Sequence, residues 1–344
     1  MPAAYRNDHL ISALVSLVVG LAPLPSRAQS ISWPSFGPER GLLHLDGLTD
    51  TLPDFVGPLD GSAELTIFTE GNHYPILLPL VFDAFPRWCE TTLTCRVDAG
   101  KILVVTLPQT MIVNMLVSGG VRVGNAIVPV GRHQRVFPHF VMGGPEPLRQ
   151  LAEAGIVDNR ATVFAQHRGL GLLLRRDLAD VRDIEAFRAR AARIVLASDN
   201  EAGARSQYRA TLDALVGKEA TAELLTREVR DFPGRLGIQH RDVPYALLNN
   251  IADGGVIFNH LAVFYAKTYA DRLRHIAVPA AEPFGQELAI ASTRGEHGRL
   301  PTAFEEFFLE AAKIAYPQGG FAAVPDSRYG AELNLVTNQR RRPD

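Results

Sequence analysis

The sequence predicts an α/β fold built from β-α-β units with mostly parallel sheets. Short apolar runs of strand length alternate along the chain with helical stretches of about 10–15 residues, the pattern of strands joined by crossover helices. The chain has 344 residues, 47% hydrophobic and 21% charged, an ordinary globular mixture with roughly two domain units of length. With that much chain to bury, no metal or disulfide staple is needed to hold a core.

The elements follow in order. Leu65–Thr69 is a β-rich run ended by the turn-like Glu70, Gly71 and Asn72, and an apolar-periodic helix spans Tyr74–Phe85. Leu93–Val97 and Lys101–Thr106 read as strands, and Pro108 opens a helix that Gly119 stops. Phe137–Met142 is a further strand, followed by a helix from Pro145 to about Gly155. Thr162–Arg175 is extended, Asp183–Ala192 helical and Arg193–Ala197 a strand. Ser198, Asp199 and Asn200 suit the start of a helix over Glu201–Val216, since their side-chain oxygens can accept from orphan N–H groups. Pro244–Ala252 is helical, with Gly254 and Gly255 ending it, and Val256–Phe258 is a short buried strand. Leu288–Ser292 is the last strand and Pro301–Tyr316 an amphipathic helix.

The N-terminus carries an export pattern. Arg6 precedes an apolar run from Leu10 to Leu24, and Pro25, Ser26, Arg27 and Ala28 set small residues before a cut at Gln29. This apolar run is shorter than the roughly 20 residues a spanning helix needs. Residues 1–28 are thus expected to be a signal peptide, placing the mature chain in the periplasm. No cysteine stands at the cut to carry a lipid anchor. In an exported chain the two cysteines, Cys89 and Cys95, are expected to form a disulfide.

A net charge of −2 gives no electrostatic footprint for nucleic acid. Signatures of serine hydrolases, zinc proteases, redox dithiols and phosphate-binding loops are all absent from the sequence. His240-Arg241-Asp242 spells a kinase triplet, but Leu247 stands where that motif requires Asn. No cofactor is expected and the chain does not read as an enzyme, with a secreted enzyme as an alternative because catalytic groups can assemble from distant positions. The remaining candidates are polar loops at strand ends, where open α/β sheets bind ligands and helix N-termini present unpaired N–H groups. They are Thr69-Glu70-Gly71-Asn72-His73, Ser198-Asp199-Asn200-Glu201 and Gln239-His240-Arg241-Asp242.

These segments resemble, in their order along the chain, the molybdate-type periplasmic solute-binding proteins. Leu65-Thr66-Ile67-Phe68-Thr69-Glu70-Gly71-Asn72 is similar to the family's first strand and loop, and Phe137-Pro138-His139-Phe140-Val141 to its stretch after the second helix. Gly-Asn-His-Tyr at 71–74, Thr106-Leu107-Pro108 and the segment from Ile238 to Pro244 resemble a divergent subgroup of unassigned ligand. The resemblance covers about residues 62–325. It implies a two-lobed type II periplasmic-binding fold, with residues 62–168 plus 283–325 in lobe one and 169–282 in lobe two. Residues 29–61 remain an irregular leader and 326–344 a C-terminal tail. It further implies a monomer that takes a small molecule or ion to the permease and ATPase of an importer. Ligand contacts carry over to Thr69, Gly71, Asn72, Thr106, Asn200, Gly203, His240, Arg241 and Phe258. The loop carries Glu70 and Asn72 where the family offers a serine hydroxyl, and Phe258 stands where molybdate binders place a tyrosine. Two ligand chemistries stay open. Arg241 and helix N-termini suit an oxyanion or carboxylate, whereas Glu70, His73, His167 and His240 are candidates for a transition-metal site.

Overall fold

The computed structural model describes residues 55–336 apart from 124–125, 133, 135, 179, 234, 236–239 and 296. The signal-peptide reading therefore lies outside the described residues, as does most of the expected leader. The described part opens with β1 (Phe55–Val56) and β2 (Leu65–Glu70). A 3₁₀ turn at Gly71–His73 enters α1 (Tyr74–Pro79), a π turn at Leu80–Ala84, α2 (Phe85–Trp88) and a second π turn at Cys89–Leu93. Then come β3 (Ile102–Leu107), α3 (Gln109–Ser118), the hairpin of β4 (Gly120–Val123) and β5 (Ala126–Pro129), β6 (Phe140–Gly143) and α4 (Pro145–Glu153). β7 (Arg160–Gln166) and β8 (Leu170–Arg175) precede α5 (Ile184–Arg190), β9 (Ile194–Val195), α6 (Ala202–Val216) and α7 (Lys218–Leu225). α8 (Asp242–Leu248), β10 (Gly254–Phe258), α9 (Asn259–Thr268) and β11 (Leu273–Ala277) follow. The described part ends with β12 (Glu287–Ser292), α10 (Arg299–Gln318) and β13 (Glu332–Asn334).

Two sheets organise these elements into two lobes. The larger has the order β1-β3-β2-β6-β12-β7-β13 and the smaller β11-β8-β10-β9. β2 lies between parallel neighbours β3 and β6 and is buried along its whole length, as a central strand covered on both faces must be. The sheets are mixed rather than mostly parallel: β6-β12, β12-β7, β7-β13, β1-β3, β8-β10 and β8-β11 are all antiparallel. The chain passes between the two sheets twice, where β7 runs straight on into β8 and where the return segment runs from β11 into β12.

The two crossings are bound to each other. His167 N–H donates to Gln286 O at 2.8 Å. A methyl group on Gly285 would sit 1.7 Å from His167 O, and one on Gly169 (φ +76°) 2.1 Å from Ala281 O. Only glycine allows backbones to approach this closely.

Several local expectations are corrected. The helix begun at Tyr74 continues to Leu93, so Leu93–Val97 is not a strand; Thr94 in the left-handed region (φ 52°) ends the helix. The expected Cys89–Cys95 bridge is not made, and both are free thiols. Cys89 closes the last helical turn and accepts the Cys95 N–H at 3.1 Å. Burial, then a hydrogen bond with the Cys95 side chain, pushes the Cys89 thiol up to about 12. Gly254 and Gly255 do not end a helix but form β10, because a methyl there would meet Leu174 at 2.5 Å and Val243 at 2.5 Å. The last residues of the expected leader form β1, whose Val56 is buried against β3. The expected tail contributes β13, paired with β7. The hairpin β4-β5, α7, α9 and β11 escaped the sequence reading.

Candidate functional site between the lobes

The carboxyl end of β2 delivers Thr69 and Glu70, and the 3₁₀ turn after it delivers Asn72 and His73. From the crossing comes His167, from α8 and its approach His240 and Arg241, from the end of β10 Phe258 and from α9 His260. All except the half-buried Asn72 are buried, with Glu70 at 7% exposure and His240 at 1%. Lobe one and lobe two thus meet through a buried polar cluster set beside apolar packing that runs through both.

Its centre is continuous. Asn72 Nδ2 donates to Glu70 Oε2 at 3.0 Å, and Glu70 Oε1 lies 3.9 Å from His167 Nε2. His260 Nε2 bonds Asn72 O across the lobes at 3.0 Å. The Phe258 ring packs against His167, His240 and Tyr208 at centroid distances of 5.0, 4.9 and 5.1 Å. His240 Nδ1 faces the Tyr208 hydroxyl at 3.3 Å, and its backbone N–H donates to both oxygens of Glu201. The Arg241 guanidinium lies over the Tyr74 ring of lobe one at 5.9 Å, and Tyr74 and Tyr265 join hydroxyls across the lobes at 3.2 Å.

Buried polar atoms are left unmatched in this cluster: Glu70 Oε1, Asn72 Oδ1, His167 Nδ1 and His260 Nδ1. A buried polar atom without a partner costs about 1–3 kcal/mol, so these four atoms are placed to gain from a polar partner. Burial sets the charge state. It pushes the Glu70 carboxyl up to about 7 against the opposing hydrogen bonds of Asn72. It holds His167 and His73 down to about 3 and lowers His240 and His260 as well. Burial thus leaves neutral imidazoles and a Glu70 carboxyl that keeps its proton to near neutrality, beside the Arg241 guanidinium.

The sequence-predicted residues sort unevenly. Glu70, Asn72, His167, His240 and Phe258 come together, with Arg241 beside them. Gly71 is buried in the turn, and Thr106 is buried as the parallel Cα partner of Thr69. Gly203 is exposed with open space beside its Cα, and the Asn200 side chain lies outside the described residues. His73 turns away from the other candidate ligands and joins the Thr69 and Tyr316 hydroxyls. His240 faces Glu201 instead of Glu70. The four proposed metal ligands therefore do not converge, and among the described residues no group of three or more His, Cys, Asp or Glu could hold a metal.

Glu201 belongs to one of the predicted polar loops, whereas Tyr208, His260 and Tyr316 were missed. His260 could have been found, because it follows a predicted strand at the end where ligands bind. Tyr208 and Tyr316 occupy apolar helix positions and look like core in sequence.

No family model and no curated protein matches the sequence. The fold has solved counterparts. The substrate-binding domain assigned to a molybdenum ABC transporter from Clostridium difficile superposes with a TM-score of 0.51 at 11% identity, covering 76% of this chain and 99% of that one. Peb3 from Campylobacter jejuni gives 0.49 at 10% identity, covering 75% and 98%. The sulfate-binding protein SubI from Mycobacterium tuberculosis gives 0.47 at 13%, covering 77% and 88%. The polar cluster thus lies between the lobes of a two-lobed periplasmic-binding-protein fold.

Proposed function

We propose that this chain is the solute-binding component of an importer, taking a small oxyanion or carboxylate between its lobes. The supporting observation is the buried interlobe cluster, with residues from both lobes and unmatched polar atoms at Glu70, Asn72, His167 and His260. A ligand contacting both lobes stabilises the closed arrangement, because closure is driven only by contacts absent from the open one. Arg241 supplies the positive charge from lobe two, and Glu70 offers little repulsion while it keeps its proton. In this reading residues 1–28 direct export and are removed, and the mature monomer works in the periplasm. There it hands its ligand to a permease driven by an ATPase. Among the described residues no helix is long and apolar enough to cross a membrane.

The test is a thermal-shift screen against inorganic oxyanions, small carboxylates and divalent metals, since a ligand selective for the folded state raises the melting temperature by mass action. Oxyanions or carboxylates are expected to stabilise the protein and metals to leave it unchanged. Stabilisation by metals alone would overturn the anion reading.

A further inference from the structure

Resting on the anion-binding reading above, we propose that Tyr316 and His73 are positioning residues that fix the Thr69 hydroxyl as a hydrogen-bond donor to an oxygen of the bound anion. The three side chains form one buried chain from α10 to the end of β2. The Tyr316 hydroxyl meets His73 Nδ1, and His73 Nε2 meets Thr69 Oγ1. All three residues are fully buried.

The direction of the chain follows from its far end. Among the described residues, the Tyr316 hydroxyl has its hydrogen bond to His73 Nδ1 and no other acceptor. A buried phenol places its proton on the acceptor it has, so Tyr316 donates and Nδ1 accepts. A neutral imidazole that accepts at one nitrogen carries its proton on the other. His73 is held neutral by burial, aided by His167 nearby. Nε2–H therefore donates to Thr69 Oγ1, which occupies the oxygen as an acceptor and leaves the Thr69 proton to point elsewhere.

In the structure that proton goes to the carbonyl of Glu70 at 3.2 Å. This is longer than the roughly 2.5–3.0 Å of a good O–H···O bond, so an anionic oxygen is the better acceptor. Thr69 stands at the carboxyl end of a central strand, adjoining Glu70 and three residues from Asn72, where open sheets present ligands. A hydroxyl that already accepts from His73 still has its single proton to give, which suits an acceptor oxygen of a ligand. His73, a metal-ligand candidate in the sequence, here orients that hydroxyl instead.

The experiment uses the full mature chain. Histidine tautomers are read by long-range proton–nitrogen correlation in ¹⁵N-histidine-labelled protein, with the His73 signal identified by its loss in His73→Asn. Calorimetry with inorganic phosphate and molybdate is run on the parent, Thr69→Val, Thr69→Ser and Tyr316→Phe. Expected are an Nε2–H tautomer for His73, binding weakened about tenfold or more by Thr69→Val, near-parental binding in Thr69→Ser and a smaller loss in Tyr316→Phe. An Nδ1–H tautomer overturns the relay even if anions bind. Parental affinity in a folded Thr69→Val variant overturns the donor role. If the parent binds neither anion while the Nε2–H tautomer holds, the anion reading falls, and with it the assignment of a ligand to Thr69.

Discussion

His240 N–H points at both carboxylate oxygens of Glu201, at 3.2 and 3.1 Å, across 39 residues of chain. His240 adopts φ 61°, a left-handed conformation that costs a non-glycine residue and persists only when its surroundings hold it. Glu201, at the start of α6, is thus the clamp that sets the lobe-two loop. Glu201→Ala should lower unfolding stability by about 1–3 kcal/mol, the scale for stranding a buried donor, and should weaken anion binding with it. Urea denaturation measures the first and calorimetry with phosphate the second. An unchanged midpoint would show that the loop holds its shape without this contact.

The strands of lobe one were legible because their burial is local in origin. Leu65–Thr69, Lys101–Thr106 and Leu288–Ser292 are apolar runs flanked by turn residues, and each is a buried strand in the structure. Gly254 and Gly255 were misread because their role is set by Leu174, Phe187 and Val243, which are distant in sequence. Glu70 and Asn72 were legible as a polar loop at a strand end. His73 was visible as a histidine, but its orientation toward Tyr316 depends on a helix 243 residues later. Spacing along the chain carries no such information.

The free thiols of Cys89 and Cys95 are already hydrogen-bonding neighbours, held by the backbone bond between the same residues at 3.1 Å. A mild oxidant should therefore link them within one chain. The unfolded, oxidised protein should take up no thiol label, and the reduced protein two. Two labels after oxidation would show that the side chains cannot reach bonding geometry.

Acid should destabilise the protein from about pH 6.5 downward. His73 and His167 are held to about 3 when folded against an ordinary 6.5, so between those values the unfolded chain binds protons that the native one does not. Stability then falls as pH falls. Glu70 acts oppositely, because its folded value of about 7 lies above its ordinary 4.5, and its contribution is lost as pH rises through 7. Glu70→Gln should remove that offset, giving a steeper acid loss between about pH 4.5 and 6.5 and a higher melting temperature at pH 8. Denaturation curves at pH 5, 6.5 and 8 check this. A pH profile unchanged by the substitution would place the Glu70 carboxyl in contact with solvent.

The sharpest separation of ligand chemistries comes from two adjacent residues. Arg241 is 2% exposed and carries a guanidinium, whereas His240 is buried, lowered in basicity by that burial, and faces Tyr208 and Glu201. An anion held in the cluster draws on Arg241. Arg241→Ala should then cost about 2–4 kcal/mol of phosphate or molybdate binding, the scale for truncating one partner of a buried charged contact. His240→Ala should cost less, because a neutral imidazole contributes at most one hydrogen bond and its packing on Phe258. A metal ligand would reverse the order and add a loss of affinity below about pH 6, as imidazoles protonate. Calorimetry on both variants at pH 6 and 8, using phosphate, molybdate and zinc as titrants, reads the difference. The expected pattern is Arg241→Ala the weaker anion binder at both pH values. Parental anion affinity in both variants would move the binding site away from α8 altogether.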